Sequence, residues 1–577
     1  MNIMSPRPVR PPRLPIALWA AGLALLASGC NQPDSQPTAD TGDRQVVAAA
    51  AKQPAGARLY DGFGNYTRKV TTDSAEAQKW FDQGMQLLYG FNHDEAIRSF
   101  AKAAEIDPDC AMAWWGIAYA NGLHINNPVM GEAKSRAAYA AAQEALKHLD
   151  KASPVEQALI RAVAERYAPE PPEDRRPLDE AYAAAMGKAR KAHPDDPDVA
   201  ALYAESLMNL QPWDYWTQDG APKGRIEEIV QTLEDAIAMR PDHPGANHFY
   251  IHAVEASNDA DRATAAADRL VNLVPGSGHL VHMPSHIFIR TGRYADAVTA
   301  NERAAATDEA YFAIAPKPEF YSLYYLHNVH FLAYASMMEG NYERSMAAAR
   351  RLEEKAPKDF VLEYVKIADG VMPATYHVMV RFGKWNEILS EPEPPEHRLL
   401  SRAMRHYARA VALANLDRTR EANGDLEAFD RIASQIDDTW FVGNNPATAI
   451  LAMARGMAAG EIAFREGRRE EAFEMLRAAV KAEDELVYDE PPGWMQPVRH
   501  ALGALLLGDG RFDEAEAVFR EDLARHPRNG WSLLGLEQAL EGLGRTAEKE
   551  QVAQERALAW ARSDVTPPSS CYCMPAE

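Results

Sequence analysis

Apolar and small residues recur along the chain at intervals that fit pairs of amphipathic helices. Between residues 77 and 110 such residues fall at every third or fourth position, first over one helix and, after a short turn, over a second. The positions that define this unit are Trp80, Gly84, Leu87, Ala96, Phe100, Ala103 and Pro108. Trp114 follows Trp80 by 34 residues and opens the next unit. Because small residues let two helices approach closely, the pattern predicts stacked helix pairs.

The same spacing returns near the C-terminus and, less completely, in the middle of the chain. Gly503, Ala515 and Phe519 keep the intervals of the first unit, whereas runs that would indicate β-strands are weak. The spacing resembles the tetratricopeptide repeat (TPR). We therefore predict an all-α fold, and the resemblance implies a right-handed superhelical solenoid of TPR-like helix pairs with loop insertions.

Several units carry extra residues between their helices. The predicted insertions are 124–135, 168–178, 211–224, 308–322 and 390–397. Long loops in a compact solenoid often contribute to function, so these segments are candidates for the walls of a binding site.

The first residues read as an export signal. Arginines precede an apolar run over 14–27, which is too short to span a membrane comfortably, and Cys30 follows it. The stretch that ends in Cys30 resembles the lipidation signal of bacterial lipoproteins, although Ala27 stands where that family usually has Leu; an ordinary signal peptide is the alternative. Asn31 favours the outer membrane, because the resemblance implies Asp there for inner-membrane retention.

These features divide the chain into five predicted segments. Residues 1–29 are a signal peptide, and 30–72 a flexible tether with few large apolar residues in its early part. Residues 73–390 form an N-terminal TPR-like solenoid, 391–562 a C-terminal TPR-like solenoid, and 563–577 a tail that contains Cys571 and Cys573. We expect a lipid-anchored protein of the cell envelope that faces the periplasm.

The charge balance narrows the possible partners. The formal net charge is −22 at pH 7. A chain this acidic repels phosphate backbones, so nucleic acid is not an expected partner.

Histidines recur on one predicted helix face. In TPR proteins the first helix of each unit lines a concave groove through its positions 2, 5, 9 and 12, and residues three and four apart share a face in any helix. With units that start at Pro244, Gly278 and Leu326, seven of the 17 histidines fall on those positions. The predicted groove residues are His248, His252, Glu255, His279, His282, His286, His327, His330 and Tyr334. Pro284 complicates the second helix, because proline kinks a helix or begins one.

Three interpretations of these histidines stay open. Imidazole nitrogens bind transition metals such as Zn or Cu, with His248, His252, His282 and His286 as the candidate metal ligands and Glu255 as an added oxygen ligand. Imidazoles could instead bind an anion or exchange protons with a substrate. Each histidine could also be an ordinary core residue with its own hydrogen-bond partner. Phe249 stands where a metalloprotease motif needs Glu, so that motif is absent and no catalytic residue is identified.

A wider resemblance supports the fold and the location. The stretches 113–116, 241–246, 252–257 and 282–287 are similar to those of exported bacterial TPR proteins whose biochemical role is not characterised. Two functions follow as expectations: a membrane-tethered periplasmic scaffold that binds a peptide, protein or small ligand in its groove, or a metal-binding protein or metal-dependent enzyme centred on the histidines.

Overall fold

The computed structural model describes residues 56–315 and 319–574. The predicted signal peptide, Cys30 and most of the predicted tether lie outside the described residues. Within them the structure is almost entirely helical, and the two strands β1 (Phe441–Val442) and β2 (Asn445–Pro446) form one short antiparallel hairpin. The prediction of an all-α fold is confirmed.

Seven helix pairs build the first part of the described chain, and the first helix of the sixth pair is divided in two. They are α1 (Ala75–Tyr89) with α2 (His93–Ile106), α3 (Ala111–Ala120) with α4 (Glu132–Lys147), α5 (Pro154–Ala164) with α6 (Arg176–Ala192), α7 (Pro197–Met208) with α8 (Ile226–Met239), α9 (Pro244–Val254) with α10 (Thr264–Leu273), α11 (Gly278–His282) and α12 (Pro284–Arg290) with α13 (Tyr294–Phe312), and α14 (Ser322–Met338) with α15 (Tyr342–Lys355).

Five further pairs follow after two short helices, α16 (Lys358–Glu363) and α17 (Val365–Ala368). They are α18 (Ala374–Arg381) with α19 (Trp385–Ser390), α20 (Leu399–Asn415) with α21 (Thr419–Ala433), α22 (Ala447–Arg465) with α23 (Arg469–Asp484), α24 (Val498–Gly508) with α25 (Phe512–Arg525), and α26 (Gly530–Gly542) with α27 (Thr546–Ala559). Short 3-10 turns lie at Leu149–Lys151, Ala260–Ala263 and Glu319–Tyr321. This series of stacked pairs is the TPR-like solenoid that the spacing predicts.

Glycines explain why the repeat pattern produces this stacking. The ring of Phe100 on α2 packs against Gly84 of its own pair and Gly116 of the next. A Cβ atom at either glycine would lie 2.5 Å from a carbon of that ring. Phe519 occupies the same place between Gly503 and Gly535. The glycines are therefore needed so that an aromatic ring can fill the angle between three helices.

The segment before α1 packs on the solenoid, so the predicted tether is wrong over 56–72. Tyr66 is 6% exposed, and its hydroxyl donates a hydrogen bond to Asp198. Arg68 is 2.8 Å from the same carboxylate and also pairs with Asp196. A tyrosine and a buried ion pair give this segment enough apolar and polar contact to offset its ordering entropy, which the composition of the earlier part of the predicted tether does not.

The C-terminal tail is also part of the packed structure as far as residue 574. The Asp564 carboxylate accepts hydrogen bonds of 2.6 and 2.9 Å from the backbone amides of Tyr342 and Glu343. Cys571 and Cys573 are joined by a disulfide, and Cys110 is a buried free thiol. The tail therefore fastens the end of the chain to the seventh helix pair.

The last helix pair docks on the middle of the chain. The indole nitrogen of Trp531 donates a 2.8 Å hydrogen bond to the carbonyl oxygen of Met337, and Trp560 donates one of 3.2 Å to that of Met338. Both carbonyls belong to the last turn of α14, where no later amide of the same helix is available to donate to them. The docking gives each carbonyl a side-chain donor and brings distant units together.

The apolar core has two parts that meet at α18. The first extends from Tyr66 to Phe382 and also includes Met495, Trp531 and Trp560. The second begins at Tyr376, and α18 contributes to both. The predicted division at 390/391 stays a prediction. In the described residues one helix, α22, is long and apolar enough by length and composition to cross a membrane, but two thirds of it is buried in this core.

Candidate functional site

Four helices of three successive units carry the predicted histidines. Helix α9 begins after His243, whose Nδ1 accepts a 3.0 Å hydrogen bond from the amide of Ala246, and Pro244 occupies its first turn. The next unit is broken at Met283, with Pro284 at the start of α12. Both His279 and His282 are nevertheless helical, so the groove positions survive the break.

Three imidazoles converge in what we name the first trio: His248, His252 and His279. The Nε2 atoms of His248 and His279 are 3.1 Å apart. Nδ1 of His248 lies 2.7 Å from the carbonyl oxygen of Tyr89, and Nδ1 of His252 lies 3.0 Å from Oε1 of Glu255. One nitrogen of each of the three rings lies within 4.8 Å of the others, and all three rings are at most 1% exposed.

The second trio is His282, His286 and His327. Nε2 of His282 lies 2.8 Å from Nε2 of His286 and 3.1 Å from Nε2 of His327. Nδ1 of His282 lies 2.7 Å from Oδ1 of Asn301, on helix α13. The three nitrogens therefore meet around one point.

Glu255 connects the two trios. Its Oε1 faces His252, and its Oε2 lies 2.6 Å from Nδ1 of His286. Glu490 approaches the same nitrogen to 3.0 Å. Neither of the contacts to His286 is aligned as a hydrogen bond, so they are ion-pair contacts. Glu255, His286 and Glu490 form a third group of mutually close ligand atoms.

Burial sets the protonation of most of the cluster. Desolvation, reinforced by neighbouring histidines, holds the pKa values of His248, His279, His282 and His327 well below 6.5. Desolvation also lowers the pKa of His286, but the carboxylates beside it outweigh this effect and raise that pKa. Without a bound ion, the cluster therefore contains several neutral rings and one imidazolium between carboxylates.

Two predicted site residues lie apart from both trios, which corrects the single cluster expected from the register. His330 lies on the wall of the neighbouring cavity but in none of the close groups. Tyr334 is 1% exposed and packs in the core instead. Both residues come after His327 on α14, so their side chains start further along the helix axis than the histidine that belongs to the second trio. The four candidate metal ligands do not form one close group, because His248 and His252 belong to one trio and His282 and His286 to the other; metal binding by them stays a prediction.

The acidic residues and the amide beside the trios could not be recognised from the sequence pattern. Asp489 and Glu490 come from the loop between α23 and α24, and burial raises the pKa of Asp489 to about 7. That loop spans 485–497, longer than the turns between most units, and its length was the available signal. Asn301 gave no signal, because it lies within the regular pattern of α13.

A cavity of about 1130 Å³ opens beside the cluster. Its wall includes four of the trio histidines, His252, His279, His286 and His327, together with apolar residues such as Leu326 and Met372. The predicted insertion 211–224 supplies Trp213, whose ring lies 5.1 Å from that of His252. Insertions 124–135 and 168–178 also contribute to the wall. The wall of the cavity therefore combines apolar side chains and histidines with a few charged side chains, such as Arg175 and Asp179.

The chain has a distant structural likeness to several solved helical-repeat structures. No family model and no curated protein sequence matches the chain. The human IFIT1 dimer with m7Gppp-AAAA is 13% identical, with a TM-score of 0.30, over 91% of this chain and 96% of that one. Yeast Tom70 is 12% identical, with a TM-score of 0.28, over 85% and 91% of the two chains. The APC/C hetero-tetramer Cut9-Hcn1 is 11% identical, with a TM-score of 0.28, over 91% of this chain and 79% of that one. At these TM-scores no functional conclusion follows, and the fold assignment rests on the helix pairs themselves.

Proposed function

We propose that the protein is a lipid-anchored scaffold of the bacterial cell envelope, facing the periplasm from the outer membrane, that binds a small ligand in its cavity. The apolar run over 14–27 and Cys30 support the anchor. The cavity supports the binding function, and it is the observation on which the proposal depends.

The size of the cavity favours a small molecule over a folded partner. Pockets that enclose small ligands measure about 300–1,000 Å³, and this one, at about 1130 Å³, is slightly larger than that range. Helices from several units and the insertions around 126 and 213 form its wall, so a peptide would have to enter between them rather than lie along an open groove.

The lining indicates the kind of ligand. Val361, Met372 and Leu326 offer apolar surface, whereas His327 and Glu490 present polar atoms. A molecule with an apolar body and one polar end matches this distribution, because apolar burial supplies affinity and a few placed polar groups fix orientation.

Binding of the fluorescent dye Nile red tests the cavity. Met372 is 2% exposed on the wall, so Met372→Trp should fill part of the cavity and weaken dye binding at least tenfold. Leu558→Trp is the matched control, since Leu558 is 81% exposed on the last helix, and it should bind like the parent protein. Equal dye affinity in both variants, with unchanged circular dichroism, would show that the cavity is not the binding site.

Metabolic labelling with an alkyne fatty acid tests the anchor. Cys30→Ser should abolish labelling and release the protein from the membrane fraction. Cys110→Ser is the control, because that thiol is buried inside the fold and should not affect labelling. Labelling that persists in Cys30→Ser contradicts the lipid anchor.

A further inference from the structure

We propose that the two histidine trios bind two transition-metal ions, one ion to each trio, at the wall of the cavity. The inference goes beyond ligand binding by the scaffold and does not depend on the identity of the cavity ligand. It rests on the direction of the ring nitrogens, on the atoms that fix their tautomers and on the buried nitrogens that have no partner.

The second trio has more nitrogens at its centre than hydrogen bonds can satisfy. The side-chain amide of Asn301 donates 2.8 Å hydrogen bonds to the carbonyl oxygen of Ala297 and to Ser285, which fixes Oδ1 as the atom that faces His282. Nδ1 of His282 must therefore carry the proton, and its Nε2 has a single in-plane lone pair. That lone pair faces two imidazole nitrogens and can accept from only one.

A metal ion resolves this conflict. Tetrahedral coordination with metal–nitrogen bonds of about 2.0–2.1 Å places ligand nitrogens about 3.3 Å apart. The contacts of His282 with His286 and His327, 2.8 and 3.1 Å, are close to that spacing. A small adjustment of the rings would let the three Nε2 atoms share one ion.

The first trio follows the same design. The carbonyl oxygen of Tyr89 can only accept a hydrogen bond, so Nδ1 of His248 carries the proton and donates to it. Nε2 of the neutral ring is then unprotonated and has a lone pair for a metal ion. Glu255 holds Nδ1 of His252 in the same way, and Nε2 of His252 is buried with no hydrogen-bond partner. Nδ1 of His279 is also buried without a partner. Metal-binding histidines typically donate their second nitrogen to a carbonyl or carboxylate, as two of these rings do.

Charge and ligand type narrow the metal. Two divalent ions would be buried beside the carboxylates of Glu255, Glu490 and Asp489, which offset part of their charge. The close groups in the described residues contain no thiolate, and Cys110 is in none of them. Sets of imidazoles suit zinc and copper. Because His252, His279, His286 and His327 line the cavity, the remaining coordination positions would face its contents.

Metal titration of the full chain, freed of metal with a chelator, tests the proposal. Zn²⁺ and Cu²⁺ are each added under calorimetry, and bound metal is counted by mass spectrometry after desalting. We expect two equivalents for the parent protein, one for His279→Ala, one for His327→Ala and none for the double variant. His406→Ala should retain two, because that histidine pairs with Asp425 away from the cluster. Glu255→Gln should weaken both sites about 10–100-fold, since it removes a group that orients one ring in each trio.

Other outcomes overturn the proposal. Absence of tight binding, or two equivalents retained in the double variant, excludes metal at the trios. Loss of one ion in Glu490→Gln with no loss in His327→Ala would place that ion at Glu255, His286 and Glu490 instead. Circular dichroism of each variant excludes unfolding as the cause. Nile red binding by the same proteins separates the two proposals. A variant that loses metal but still binds the dye affects only the metal sites, whereas a variant that keeps metal but loses the dye affects only the cavity.

Discussion

Replacement of Gly84 by alanine should destabilise the first three helices, although alanine normally strengthens a helix. The new methyl group would lie 2.5 to 2.8 Å from three carbons of the Phe100 ring. Favourable carbon–carbon contacts are about 3.5–4.0 Å, so the ring would have to move by about 1 Å. Gly116 packs against the same ring, and the space that it leaves is already filled.

The expected magnitude is the difference between two effects. Exchange of glycine for alanine in a helix interior gains about 1 kcal/mol. Extra volume in a packed core costs about 1–3 kcal/mol, and the contact with three ring carbons favours the upper end. The net loss at Gly84 should therefore be about 2 kcal/mol. Gly424, within α21, has nothing within 4 Å of its missing Cβ, so Gly424→Ala should instead gain about 1 kcal/mol.

Urea denaturation followed by circular dichroism, together with hydrogen exchange of the amides in α1 to α3, measures this difference. Because stacked repeats can unfold locally, the loss should be concentrated in those amides. Phe100→Leu should cost less in the Gly84→Ala background than in the parent protein, since the smaller side chain relieves the contact. A Gly84→Ala variant as stable as Gly424→Ala would refute the packing argument.

Three further predictions concern buried carboxylates and helix content. Asp198→Asn should cost about 3 kcal/mol, because it leaves the buried Arg68 with only the partly exposed Asp196. The charge of Arg68 outweighs burial and lowers the pKa of Asp198, so the parent protein should lose this stability below about pH 4. Urea titrations at several pH values should show this loss for the parent but not for Asp198→Asn. The exposed Asp109→Asn is the control and should resemble the parent. Burial raises the pKa of Glu461 to about 7, so the stability of the parent protein should fall as pH rises from about 4.5 to 7. Glu461→Gln should therefore have a higher melting temperature than the parent at pH 8 but not at pH 4. Equal melting temperatures at pH 8 would contradict this. Far-UV circular dichroism should be dominated by helix, and a substantial strand signal would contradict the fold.

The helix pairs could be predicted because their determinants are local. Gly84, Phe100 and the turn between them define a unit within one stretch of sequence, and the same spacing recurs. That register also placed His248 and His282 at equivalent positions of successive units, and the structure puts His248 in the first trio and His282 in the second. Periodicity therefore identified which faces meet.

The details of the site could not be predicted because they depend on distant segments and ring directions. Glu490 arrives from a loop more than 200 residues after His286, and no local pattern connects the two. The assignment of each histidine to a trio depends on the break at Met283 and on hydrogen bonds such as that from Asn301. His330 shares a helix with His327 but lies outside the trios, which only the three-dimensional arrangement decides.

The docking of the last helix pair on α14 fixes the number of repeats between them. An open solenoid can gain or lose a unit by duplication or deletion, since each repeat touches only its neighbours. Here Trp531 and Trp560 must reach the carbonyls of Met337 and Met338, so removal or addition of one helix pair between them would break the closure. The repeats between α14 and the last pair are therefore free to diverge in sequence but not in number.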